Sequence, residues 1–74
     1  MVLEQKHRGL LFRIESEEFL EQVKKETVTG FYLYIYQGDI CEYDYLQDTV
    51  SACKEIAFEE FGTPMEGWEE LAKK

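Results

Sequence analysis

Residues Phe31 to Tyr36 read Phe-Tyr-Leu-Tyr-Ile-Tyr, an apolar side chain at every odd position and a tyrosine at every even one. Successive side chains of an extended chain point to opposite faces. The run therefore predicts a strand and assigns both of its faces. Phe31, Leu33 and Ile35 form a face that belongs in a core. Tyr32, Tyr34 and Tyr36 form a face that is aromatic but carries hydroxyls that tolerate water.

The chain around this strand has 74 residues, enough for one domain with one small core. Chains of this size often fold with help from disulfides, a metal or a partner subunit. Only Cys41 and Cys53 are available for a disulfide. The first residues lack the apolar stretch of a secretory signal, and no apolar run approaches membrane-span length. We therefore expect a cytoplasmic, reducing setting with two free thiols, a single domain over residues 1–74 and a disordered leader at 1–8. That leaves homodimerisation as the help.

The formal net charge is −8, unevenly spread. Residues 1–37 hold five Lys or Arg against six Asp or Glu, whereas residues 38–74 hold three against ten. Direct nucleic-acid binding needs clustered cations, so none is expected. Anionic membrane surfaces are disfavoured for the same reason. An acidic half is compatible with ordinary solubility, a basic protein partner or mimicry of nucleic acid.

Gly9 to Ile14 is a short strand candidate with Leu10, Phe12 and Ile14 on one face. Ser16 to Glu26 reads as a short helix: Ser16 caps it, Glu17 and Glu18 suit its first turn, and Lys24 and Lys25 its last. The rival reading keeps this segment extended in a long hairpin. Gly30 marks a bend or bulge. Gly38-Asp39 predicts a tight II′ turn into a strand over Cys41 to Leu46. A strict two-residue register places Tyr43 and Tyr45 with the other tyrosines, but also Glu42 and Asp44 with Leu33 and Ile35. A one-residue slip or bulge exchanges these faces. Turn chemistry favours the first arrangement, and the cost of burying carboxylates favours the second; the expectation leans to the first. Val50, Cys53, Ile56, Ala57 and Phe61 recur at helical spacing between an Asp48 or Thr49 cap and Gly62. Thr63-Pro64-Met65-Glu66 has the form of a capping box for a second short helix carrying Trp68 and Leu71.

No constellation of chemical residues stands out, so no catalytic, metal-binding or cofactor-binding residue is assigned and no enzyme is expected. The acid pairs Glu17-Glu18, Glu59-Glu60 and Glu69-Glu70 suit solvated faces. Glu42, Asp44 and Asp48 lack a calcium-loop spacing. The sole histidine, His7, falls in the leader. Cys53 suits a small core position, and Cys41 has no neighbouring cation to activate it. Trp68 suits either a binding anchor or a cover for the open end of the core.

Two resemblances can be stated. Asp48-Thr49-Val50-Ser51-Ala52-Cys53-Lys54-Glu55-Ile56-Ala57, after two strands, resembles the helix start of HicB-type antitoxins, which implies a small β-β-β-α domain over residues 30–58. Phe31-Tyr32-Leu33-Tyr34, Asp48-Thr49, Glu59-Glu60-Phe61-Gly62 and Trp68 together resemble small acidic bacterial proteins of unknown function.

The expected fold is α+β: a small antiparallel three-stranded sheet with a helix on one face and a short C-terminal helix. The expected function is a non-enzymatic protein-interaction module. It would bind itself or a protein partner through Tyr32, Tyr34, Tyr36, Tyr43 and Trp68. The alternative is an antitoxin-like inhibitor or nucleic-acid mimic using the acidic second half.

Overall fold

The computed structural model describes residues 1–21 and 25–71. The architecture is α+β, one helix packed on one antiparallel sheet. The elements are β1 (Val2–His7), β2 (Leu10–Glu21), β3 (Glu26–Gln37), β4 (Ile40–Gln47), α1 (Val50–Phe61) and β5 (Glu69–Glu70). The sheet has five strands, not three, in the order β4-β3-β2-β1-β5. Among the described residues no helix is long and apolar enough to cross a membrane.

Several expectations are corrected along the chain. Residues 2–7 are not a frayed leader but strand β1, paired with β2 from Val2↔Glu15 to His7↔Leu10. Arg8 and Gly9 both adopt positive φ (50° and 80°), the pattern of a type I′ turn, so the leader is one arm of a hairpin. The predicted helix over Ser16–Glu26 is also replaced. Strand β2 continues through it to Glu21, with Ser16↔Phe31, Glu18↔Thr29 and Leu20↔Thr27 across the ladder. A helix of two to three turns is marginal on its own, whereas here the β-branched and aromatic residues of β3 offer a ready strand partner. Val23 and Lys24 of that predicted helix lie outside the described residues.

The third correction concerns the β3–β4 hairpin. Gln37 pairs with Ile40 across a two-residue loop in which Gly38 takes φ 61°. The turn is thus the tight one predicted. One step further the register shifts: Tyr36 faces Cys41, but Ile35 faces Tyr43. Glu42 is the extra residue of a β-bulge. The bulge satisfies both opposing demands, since it retains the turn and moves Tyr43 and Tyr45 beside Ile35 and Leu33. Asp44 then faces Tyr34 on the opposite side of the sheet, outside the core.

Helix α1 lies across the aliphatic face. Phe12, Ile14, Leu33 and Ile35 from the sheet and Cys53 and Ala57 from the helix are fully buried together. Burial of each large side chain contributes about 1.5–3 kcal/mol. The helix begins where the Thr49 Oγ1 accepts the Ala52 amide at 3.0 Å. It stops at Gly62 (φ 72°), where the Gly62 and Thr63 amides donate to the carbonyls of Phe58 and Ala57. The predicted second helix does not form. Thr63 is buried, and its hydroxyl has no hydrogen-bond partner among the described residues, so it caps nothing. The Gln5 amide donates to the carbonyls of Pro64 and Glu66, both at 3.1 Å, which ties the segment to β1 as a loop. Gly67 turns it at φ 90°, and the chain joins the sheet edge as β5 opposite Leu3 and Glu4. Leu71 donates its amide to Val2 beside β5. The Lys73-Lys74 tail lies outside the described residues.

Candidate interaction face

Alternation along β3 and the antiparallel register determine which side chains share the face that α1 leaves open. Tyr32, Tyr34 and Tyr36 stand in one column on β3. Beside them on β2 are Glu15, Arg13 and Leu11, and on β1 Glu4 is opposite Arg13 and Lys6 opposite Leu11. On β4 the neighbours are Leu46, Asp44 and Cys41. Among the described residues no element packs over this face.

The three tyrosines are half-buried by one another. Tyr32 and Tyr34 stack with ring centroids 5.4 Å apart and 16° between planes, and Tyr34 and Tyr36 lie 6.3 Å apart. Phe19 meets Tyr32 edge-on at 6.1 Å. Gly30 explains how this is packed. It sits in unbroken pairing opposite Glu17, neither bend nor bulge. A Cβ on it would come within 2.9 Å of Leu46 Cδ1 and 3.0 Å of Phe19 Cε2. The missing side chain lets Phe19 and Leu46 cover the backbone from both sides and extends the aromatic column beyond Tyr32.

Arg13 organises the charge. Its Nε donates to Glu4 Oε2 at 2.6 Å, and its Nη1 lies 3.7 Å from Glu15 Oε2. The guanidinium also rests 5.9 Å from the Tyr36 ring centroid, a cation–π distance. The hydrogen bond to Glu4 raises the Arg13 pKa, with burial opposing it and Glu15 adding to it. Burial, followed by the charges of Glu15 and Glu17, raises the Tyr34 hydroxyl above the ordinary phenol range. The face runs from Lys6 and Arg13 at one end, through tyrosine, to Glu15, Glu17 and the apolar Phe19–Gly30–Leu46 patch at the other. Lys6, Arg8, Leu11 and Tyr36 line a shallow depression of about 460 Å³ at the basic end.

Of the five residues singled out from the sequence, the structure brings Tyr32, Tyr34 and Tyr36 together and separates the other two from them. Tyr43 lies on the helix side, its ring 5.5 Å from that of Phe61. Trp68 packs against the core on the helix side, its Nε1 shielded from solvent without a hydrogen-bond partner among the described residues. It covers the end of the core. Arg13, Phe19 and Leu46 are members of the face that sequence reasoning missed. Arg13 falls on the Leu11 face of the predicted Gly9–Ile14 strand, Phe19 joins it only because β2 remains extended past Ser16, and Leu46 only because the β4 bulge sets it opposite Tyr32. Cys41 and Cys53 are both free. Cys53 is buried, its thiol 3.4 Å from the Phe31 carbonyl and pushed up to about 11 by desolvation. Cys41 is exposed. Among the described residues no three His, Cys, Asp or Glu side chains converge on a point where they would hold a metal ion. Comparison with protein-family models, with curated proteins and with solved structures finds no match to this chain.

Proposed function

We propose that this protein is a non-enzymatic interaction module that works through the open sheet face, and that its first partner is a second copy of itself. One observation carries the reading: a continuous column of Tyr32, Tyr34 and Tyr36, with Arg13 over one end and Phe19 and Leu46 at the other, is left uncovered by α1. Tyrosine and arginine are the residue types enriched where binding energy concentrates. A sheet face of this aromatic content serves association more readily than solvation. The charge order supports self-pairing. Two copies related by a twofold axis through the face bring Lys6 and Arg13 of one toward Glu15 and Glu17 of the other. Two unpaired cysteines suit a reducing compartment.

Sedimentation equilibrium from micromolar to millimolar protein tests this. The average mass should rise toward twice the monomer, less steeply at high salt. Tyr34→Ala, folded by circular dichroism, should shift the rise to higher concentration. A wild-type protein that remains monomeric throughout the series would end the self-association reading.

The alternative, an acidic inhibitor or nucleic-acid mimic, calls for one acid-lined surface. The acids of the second half divide among the exposed side of α1 (Glu55 and Glu59), the β5 edge (Glu69–Glu70) and the segment on and beside β4 (Asp39, Glu42, Asp44 and Asp48), so no single surface collects them. This dispersal favours the tyrosine face.

A further inference from the structure

The β4 edge of the sheet is a second surface, one that adjoins the tyrosine column at Asp44 and Leu46 but offers backbone rather than rings. Strand β4 terminates the sheet, and among the described residues nothing pairs with its outer side. The backbone amides and carbonyls of an edge strand form a template for another strand, which proteins usually blunt with lysine, proline or a very short edge. The opposite edge follows that rule, since β5 is only two residues long. Strand β4 does not: it is eight residues long and contains neither Lys nor Pro. It also leaves large apolar side chains in solvent, with Ile40 66 %, Leu46 52 % and Tyr43 50 % exposed. Its protection is the bulge at Glu42 and the acids Glu42 and Asp44, and the bulge leaves Tyr43–Gln47 in regular pairing with β3 on the inner side.

Charge selects the occupant. From Glu26 to Cys53 the chain has no Lys, Arg or His and five acids, four of which (Asp39, Glu42, Asp44 and Asp48) lie on or beside β4. A second copy is disfavoured there. Antiparallel β4–β4 pairing sets Glu42 and Asp44 against the same acids of the copy, and like charges across strands destabilise. The copy's β5 edge, Glu69–Glu70, is acidic as well. Side-chain alternation specifies the remaining partner. Tyr43 and Tyr45 point to the helix side, Asp44 and Leu46 to the open side. An added strand is therefore best matched with apolar residues beside the tyrosines and Lys or Arg beside Asp44.

We propose that the β4 edge docks an extended basic peptide segment, alternating apolar and Lys or Arg residues, as a sixth strand over Tyr43–Gln47. The test uses isotopically labelled full-length protein and an end-blocked heptapeptide of alternating Lys and Val. Two control probes go beside it: one with Glu for Lys, and one with alternate backbone nitrogens methylated so that the charges stay but one ladder of hydrogen bonds cannot form. Saturable shifts and slowed amide exchange confined to β4 are expected with the first probe and neither control. Asp44→Asn, at an exposed position, should weaken binding roughly threefold by removing the cross-strand charge pair within the docked span. Arg13→Ala, on the tyrosine face but two strands from β4, should leave it unchanged, which separates this edge from the tyrosine face. Equal binding of the methylated probe, perturbation of the tyrosine face instead of β4, no binding at millimolar probe, or β4 amides already protected by dimerisation would each overturn the proposal.

Discussion

The two faces of this sheet are built from the same strands by the same alternation, yet they obey different constraints. On the helix side Phe12, Ile14, Leu33 and Ile35 reach zero exposure against Cys53 and Ala57. On the open side Tyr32, Tyr34 and Tyr36 are only half-buried and cover one another. The first face is held by exclusion of water, which penalises any lost volume. The second is held by ring stacking and by Arg13 bridging Glu4 and Tyr36. Such contacts are individually worth about 1 kcal/mol or less. One face therefore carries most of the stability of the fold, and the other is the face to which we assign recognition.

Neighbouring substitutions on β3 break the comparison most sharply. Leu33→Ala should cost about 2–5 kcal/mol in denaturant unfolding, whereas Tyr34→Ala, one residue on and facing the other way, should cost about 1 kcal/mol. Equal losses would mean that the open face is covered in solution.

Alkaline pH sharpens the same contrast. The Cys53 thiol has an ordinary value of 9.0 and is pushed up to about 11 by burial. Between these values the unfolded chain releases its proton while the folded one retains it, so the stabilisation is complete below pH 9 and is lost as pH rises toward 11. The stability difference between the wild type and Cys53→Ala should therefore shrink over that interval, by at most about 1.4 kcal/mol per pH unit. Tyr34, also raised, adds a decline of the same sign that persists in Cys53→Ala. A difference that stays flat from pH 9 to 11 would show that the thiol is solvated. The smallest effect belongs to the open face: Glu4→Gln, which removes the partner of Arg13, should change stability by less than about 1 kcal/mol, and less still at high salt.

The legible elements share a property. The Phe31–Tyr36 alternation and the Thr49–Gly62 helix each carry their whole signal within a few consecutive residues, and both form as read. The misread segments carried signals that a neighbour overrode. Ser16, Glu17 and Glu18 suit a helix start, but they line up with Phe31, Gly30 and Thr29 of a strand that has already chosen its conformation. Thr63-Pro64-Met65-Glu66 spells a capping box, but Gln5 takes the Pro64 and Glu66 carbonyls from a strand far away in sequence. The leader's mixture of Leu3, Gln5 and His7 hardly resembles a core face, because its strand lies near the margin and needs only partial burial. The face that Arg13, Phe19 and Leu46 share with the tyrosines was hidden because four strands, β1 to β4, contribute to it.

What this sequence determined by itself is the inside of the molecule: Leu33 and Ile35 in the core with Phe31 partly buried against it, Cys53, Ala57 and Phe61 along one side of a capped helix, and a tight turn at Gly38. Those outcomes follow from periodicity and local backbone preference, which act over a few residues. Tertiary structure alone decided the sides of Tyr43 and Tyr45. The Gly38 turn and the desolvation cost of Glu42 and Asp44 pull the hairpin toward opposite registers, and a bulge at Glu42 reconciles them. The turn is a local demand, but the cost of burying Glu42 and Asp44 arises only once α1 covers that face. The balance between them is therefore struck in the assembled fold.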